Sequence, residues 1–130
     1  MSQATGTFEV KLNPLEPYNN NEGAKLGRMS IDKQFTGDLQ ATSKGEMLSA
    51  GTEVKGSAGY VAMERVSGAL KGFVGSFIFQ HSATLTRGAP QLSITVVPDS
   101  GTEELTGLTG TMQIIIADGK HSYVFEYEVP

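Results

Sequence analysis

The chain has 130 residues, with ten Lys and Arg against 14 Asp and Glu, a formal net charge of −4. The basic residues are scattered, which excludes the clustered basic face that nucleic acid or an anionic membrane surface requires. Cysteine is absent, which excludes disulfides, thiolate catalysis, iron–sulfur clusters and Cys-based zinc sites.

One domain spanning residues 1–130 is expected, long enough to bury a core without a staple. Its start, "MSQATGTFEVKL", lacks a charged segment followed by an apolar block, so no signal peptide is expected. Apolar runs are far too short for a membrane span. Together these features predict a soluble, cytoplasmic protein.

Along the chain, segments of five to ten residues alternate or run apolar and then meet Gly, Asn, Asp or Pro, which is the strand pattern. Strands are predicted near 5–12, 25–36, 38–48, 57–67, 72–83, 91–98, 106–117 and 121–129. Phe35-Thr36-Gly37-Asp38 and Ala117-Asp118-Gly119-Lys120 read as tight hairpins, the second of the primed Asp-Gly type. Asn13 to Gly23, "NPLEPYNNNEG", reads as the long polar loop, either a surface loop or a lid.

Eight short antiparallel strands joined mainly by hairpins predict a sheet closed into a barrel, because closure removes exposed edges. A two-sheet sandwich is the alternative. An eight-stranded barrel has room for its own side chains or for one small ligand. Segments 73–81 and 111–116 carry apolar residues on both faces, so a covering loop or a homo-oligomer is expected as well.

The central hairpin carries the polar groups of interest. Strand alternation sends Glu64 and Arg65 to opposite faces, and likewise Gln80 and His81. With a loop at Gly68-Ala69-Leu70-Lys71, Ser67 opposes Gly72, Glu64 opposes Gly75, Ala62 opposes Phe77 and Tyr60 opposes Phe79. Tyr60, Glu64, Phe77, Phe79 and His81 then share a face; a three-residue loop or a bulge would bring Gln80 to Glu64's face instead.

In that register His81 opposes Ala58, roughly 20 Å from Glu64 along the strand, which rules out a Glu–His dyad. His81 is expected at the rim. Glu64 is read either as a general base in an aromatic cavity or as one half of a salt bridge, with Arg28 the candidate cation. Arg28, Ser30, Asp32 and Gln34 form a polar row read as a solvated face, and Glu46 is a weaker pocket candidate.

No metal or other cofactor is expected. The two histidines, His81 and His121, lie in distant strands without a paired-His or His-x-Glu motif, and His121 is expected to be exposed. No serine elbow is present, and "SGT" at 100–102 lacks the Gly-Lys-Ser/Thr end of a P-loop.

Residues 98–110, "PDSGTEELTGLTG", resemble the Gly-rich approach to a strand in allene oxide cyclases and dirigent proteins, both eight-stranded barrels. The chain is more closely similar to an uncharacterised bacterial family of small allene-oxide-cyclase-like barrels. That similarity is carried by "GTFEV" (6–10), "FTGDL" (35–39), "ERVSG" (64–68), "GSFIFQHS" (75–82), "VVPDSGT" (96–102) and "LTGLTG" (105–110). The resemblance implies the barrel fold. The related cyclases isomerise or cyclise a lipid-derived substrate in the barrel cavity, but the resemblance implies no reaction for this chain, and no catalytic residue is carried over.

Three functions follow as expectations. The first is a barrel binding a small apolar ligand, walled by Tyr60, Phe77 and Phe79 and oriented by Glu64, Gln80 or His81. The second is a cofactor-independent isomerase or cyclase. The third is an interaction module with a filled barrel.

Overall fold

The computed structural model describes residues 1–19 and 25–130. The strands are β1 (Ser2–Leu15), β2 (Lys25–Gly37), β3 (Leu39–Gly51), β4 (Ala58–Leu70), β5 (Phe73–Thr86), β6 (Ala89–Val96), β7 (Thr109–Ala117) and β8 (Lys120–Glu128), with a 3₁₀ turn at Glu103–Leu105. They pair antiparallel in chain order, and β8 returns to β1 to close an eight-stranded barrel. The expected all-β barrel is therefore the fold, and the sandwich is not.

Primed turns set the geometry. Asp118-Gly119, Lys71-Gly72 and Arg87-Gly88 each have both residues at positive φ, between 46° and 92°. Such a turn matches the right-handed twist of the strands it joins, and glycine takes its second position without strain. The β4–β5 turn is thus Lys71-Gly72, not Gly68–Lys71 as the sequence suggested. Glu64 pairs with Phe79 and Ala62 with His81, instead of Gly75 and Phe77. The register moves by four residues, an even number, so every inward side chain stays inward.

Between β2 and β3 only Asp38 intervenes. Its carboxylate accepts from the Thr5 amide at 2.9 Å, its own amide donates to the Thr5 carbonyl, and its carbonyl accepts from the Lys71 amide. This single residue ties three chain segments together at one end of the barrel. β1 runs three residues further than expected, with Asn13, Pro14 and Leu15 paired to Ser30, Met29 and Arg28. Pro14 is tolerated because β1 pairs with β8 only as far as Phe8–His121. Of the expected loop at 13–23, residues 20–23 lie outside the described residues.

The interior is filled at one end and open at the other. Along β3 the inward residues pass from buried Leu39, Ala41 and Ser43 to half-buried Met47 and Ser49 and exposed Gly51. β4 runs the opposite way, from exposed Ala58 to buried Leu70. At the filled end Phe77, Phe79 and Phe125 pack with ring centroids 4.9–5.9 Å apart. The segment after β6 plugs that end with Leu105 and Leu108, both essentially inaccessible.

The "SGT" turn has a purely structural role. The Thr102 amide donates to the Ser76 carbonyl, the Ser76 amide to Thr102 Oγ1, and the Ile78 amide to Ser100 Oγ, so the segment runs along the edge of β5 that β6, paired only from Phe79 onward, leaves free. Gly75 permits this approach, since a Cβ there would collide with the Thr102 carbonyl oxygen. The expected strand start at 106 is corrected to Thr109, because residues 103–108 form the plug.

Toward the open end the barrel loosens. β6 and β7 are joined in register through one pair, Thr95–Thr111, the sparsest seam of the barrel. No helix among the described residues is long and apolar enough to cross a membrane.

Candidate functional site

Midway along the barrel, where the filled end gives way to the open one, four inward residues form a closed polar cluster. β2 supplies Lys33, β3 Ser43, β4 Glu64 and β5 His81. The Glu64 carboxylate is the hub: Oε1 accepts from His81 Nε2 at 2.6 Å and from Lys33 Nζ at 2.9 Å, and Oε2 accepts from Ser43 Oγ at 2.5 Å. The Glu64 side chain is completely buried, and those of Lys33 and His81 are 6% and 5% exposed.

Two features of the strands permit the cluster. Gly45 lies directly across from Glu64, and a Cβ there would run into the Met63 carbonyl oxygen and Glu64 Cα, so glycine lets β3 close against β4. His81 sits one diagonal step from Glu64, because the direct partner of Glu64 is Phe79. Diagonal neighbours of this kind are within reach of long side chains.

The structure therefore overturns the exclusion of a Glu–His dyad, which followed from the misplaced turn. It also moves His81 from the rim to the interior, where the residue is 4% exposed. The cation beside Glu64 is Lys33 rather than Arg28. Arg28 instead pairs on the outer face with Glu46, at 2.7 Å.

Electrostatics make Glu64 an anchor. Burial alone would raise its pKa, but the His81 hydrogen bond, the Lys33 ammonium and the Ser43 hydroxyl outweigh it and hold the carboxyl at about 2. Lys33 is further settled over the ring of Phe8, with Nζ 4.9 Å from the centroid. Both carboxylate oxygens are engaged, so Glu64 is not a free base. It orients the imidazole.

That orientation leaves one polar atom to spare. In a neutral imidazole, Nε2–H donating to the carboxylate makes Nδ1 a lone-pair acceptor. Neither His81 Nδ1 nor the Tyr60 hydroxyl has a hydrogen-bond partner among the described residues. Yet no fully buried side-chain nitrogen or oxygen among them is unsatisfied, so both atoms keep access to solvent.

Tyr60 links the cluster to open space. Its ring lies 6.5 Å from that of His81, and burial followed by the Glu64 charge raises its pKa. On its other side is a concavity of about 530 Å³ in the open end, where Met47, Ser49, Ala83, Leu85 and Leu92 also contribute. The wall is mostly apolar, with the Ser49 and Tyr60 hydroxyls as its inward polar groups.

Of the other predicted residues, Phe77 and Phe79 belong to the filled half, away from this chamber, and are 1% and 0% exposed. Gln80 is exposed on the outer face. There it borders a groove with Arg28, Glu46, Leu48, Val61 and Met63, whose floor crosses Ala62 and His81, residues whose side chains point inward. His121 is half-buried against Phe8, not exposed, with ring centroids 5.2 Å apart. Among the described residues no three acidic or histidine side chains converge as a metal site would require.

Lys33 and Ser43 were missed by sequence reasoning. A signal for Lys33 was present, since it lies in phase with Ile31 and Phe35 on the apolar face of β2. A lysine in that phase must find an anion or stay exposed.

Comparison with known proteins agrees with this architecture. No curated protein matches the chain. A crystal structure of a protein of unknown function from the DUF3224 family of Shewanella oneidensis MR-1 is 53% identical, covering 100% of this chain and 98% of that one, with a TM-score of 0.95. The model of the family described as "Protein of unknown function (DUF3224)" matches residues 4–127, nearly the whole barrel, and the chain belongs to that family.

Proposed function

We propose that the open end of the barrel is a binding chamber for one small, largely apolar molecule. The observation that carries this reading is the apolar concavity of about 530 Å³ lined in part by Tyr60, whose ring lies 6.5 Å from that of the buried His81. An apolar cavity with a few convergent polar groups is the usual form of a small-molecule site. The half-exposed inner residues at this end argue against a wholly filled barrel. Propylbenzene titrated into ¹⁵N-labelled protein tests the reading. Shifts should concentrate at Met47, Tyr60, Ala83 and Leu92 and vanish in Ala83→Trp, whose indole fills the chamber; no localised shifts, or an unaffected A83W, would overturn it.

A cofactor-independent isomerase or cyclase is the second reading, favoured by the Glu64–His81 pair, in which a carboxylate holds one imidazole nitrogen and leaves the other open. A cytoplasmic setting is proposed on the same footing, since nothing in the cysteine-free chain depends on oxidising conditions. A homo-oligomer is proposed from the outer face, where Leu48 and Val61 are directly paired and more than half exposed, beside Met63.

A further inference from the structure

We propose that the outer groove is an interface between two copies of this chain, related by a two-fold axis parallel to the strands, in which each copy's Tyr18 seats beside the other's Met63 and Gln80. The inference rests on the homo-oligomer reading and adds the symmetry of the assembly and the residue that crosses it.

The groove, of about 880 Å³, has a raised wall on one side only. Its floor is the outer face of β3 and β4, where Leu48 pairs with Val61 and Glu46 with Met63. On the β2 side the chain leaving β1 forms a strap of Glu16, Pro17 and Tyr18, and Arg28 Nη1 lies 3.5 Å from the Glu16 carbonyl oxygen. On the β5 side the sheet continues into Gln80 and Ser82, the partners of Met63 and Val61, and both are exposed.

Tyr18 points to the occupant. It borders the groove yet is fully exposed, so no described part of its own chain covers the ring. Tyrosine gains most where its apolar body is buried and its hydroxyl stays wet. A surface that carries a projecting ring, and beside it an apolar groove open on the far side, is complementary to itself. That is what a two-fold contact requires.

Strand spacing fixes the arrangement. Neighbouring strands lie about 4.8 Å apart, so β2 and β5 are about 14 Å apart across the patch. An axis along the Leu48–Val61 seam lays the β2 side of one copy over the β5 side of the other. Each strap then supplies the wall that the other groove lacks, and Leu48, Val61 and Met63 are covered. The patch holds one cation and one anion, Arg28 and Glu46, already paired at 2.7 Å, so two copies meet without net repulsion. With Gln80 and Ser82 they give the apolar centre a polar rim, the anatomy of a specific interface.

The test is sedimentation equilibrium on the intact chain, with cross-linking made clean by the absence of native cysteine. The expected mass is twice 13.8 kDa. Val61→Asp and Tyr18→Ser, both at exposed positions, should each weaken association at least about tenfold while the circular dichroism of the barrel is unchanged. In a mixture of Tyr18→Cys and Gln80→Cys chains, bismaleimidoethane should join unlike chains. It should not join Tyr18→Cys to Gln113→Cys, an exposed position on β7. An oligomer whose mass survives V61D or Y18S, a trimeric mass, or a Y18C chain that couples to Q113C as readily as to Q80C would overturn the proposal with the homo-oligomer reading intact. A wild type that stays monomeric at millimolar concentration would leave the groove to another protein and remove that reading, and this inference with it.

Discussion

Glu64 and His81 meet at 2.6 Å inside the barrel although they stand one diagonal step apart on neighbouring strands. The contact depends on the imidazole reaching along the strand axis toward a carboxylate that Lys33 and Ser43 hold in place. Four strands therefore converge on one charge.

Removing that charge should be costly. Glu64→Ala leaves the Lys33 ammonium buried without its counter-ion, and breaking a buried pair in this way costs about 3–5 kcal/mol. Urea unfolding should show the full loss in E64A. Replacing both partners, as in K33M/E64L, should recover most of it, because no uncompensated charge is left in the pair. A double variant as unstable as E64A would contradict this account.

The acid limb of stability should report Glu64. Its folded pKa, about 2, lies below the ordinary 4.5, so folding favours the ionised form. The associated stability is complete above about pH 4.5 and is lost as the pH falls toward 2, on the order of 3 kcal/mol in all. The groups facing the carboxylate are Lys33, His81, Ser43 and, more distantly, Tyr60. Unfolding free energies between pH 5 and 2 should fall less steeply in Glu64→Gln than in the wild type; parallel curves would assign the acid limb to other carboxylates.

Gly45 should resist even alanine. The added methyl would press on the Met63 carbonyl and Glu64 Cα, both backbone atoms of β4, so the strand pair must separate. Gly45→Ala is expected to cost about 1–3 kcal/mol, as overpacking does, and to shift the His81 side-chain resonances because the carboxylate moves. A stable G45A with unchanged His81 signals would show that β3 and β4 have slack there.

Tyr123 makes a separate test at the filled end. Its hydroxyl donates to the Thr36 carbonyl at 2.7 Å and accepts from the Leu39 amide at 3.0 Å, which bridges the two sides of the Asp38 turn. Tyr123→Phe leaves the buried Leu39 amide unsatisfied and should cost about 1–3 kcal/mol. Amide exchange at Leu39 should accelerate with it. Unchanged protection there would mean the amide finds another acceptor.

The plug should matter by its volume. Leu105 and Leu108 are 1% and 0% exposed and close the filled end. Leu108→Ala is expected to destabilise by about 2–5 kcal/mol, the range for truncating a buried leucine. The chamber lies at the other end, so propylbenzene affinity should survive wherever the variant remains folded.

Side-chain alternation is legible in the sequence alone. Tyr60, Glu64, Phe77, Phe79 and His81 do share the inner face, and Gln80 does face out. Period-two geometry assigns faces from parity, and parity survives any even error in the turn. The barrel is legible for the same reason, since eight alternating segments separated by turn residues leave few other ways to cover their edges. Distance is another matter. Whether Glu64 meets His81 depends on which residues make the turn, and Lys71-Gly72 carries a weaker turn signal than Asp118-Gly119. Centring that turn two residues early shifts the register by four and turns a 2.6 Å contact into an apparent separation of roughly 20 Å. The roles of Lys33 and Ser43, on β2 and β3, and the division into a filled and an open end, depend on which strands neighbour one another and on where each stops pairing. Those relations are long-range. No local period encodes them, and only the closed barrel decides that "GSFIFQHS", residues 75–82, holds one buried imidazole aimed at a carboxylate and one glutamine in water.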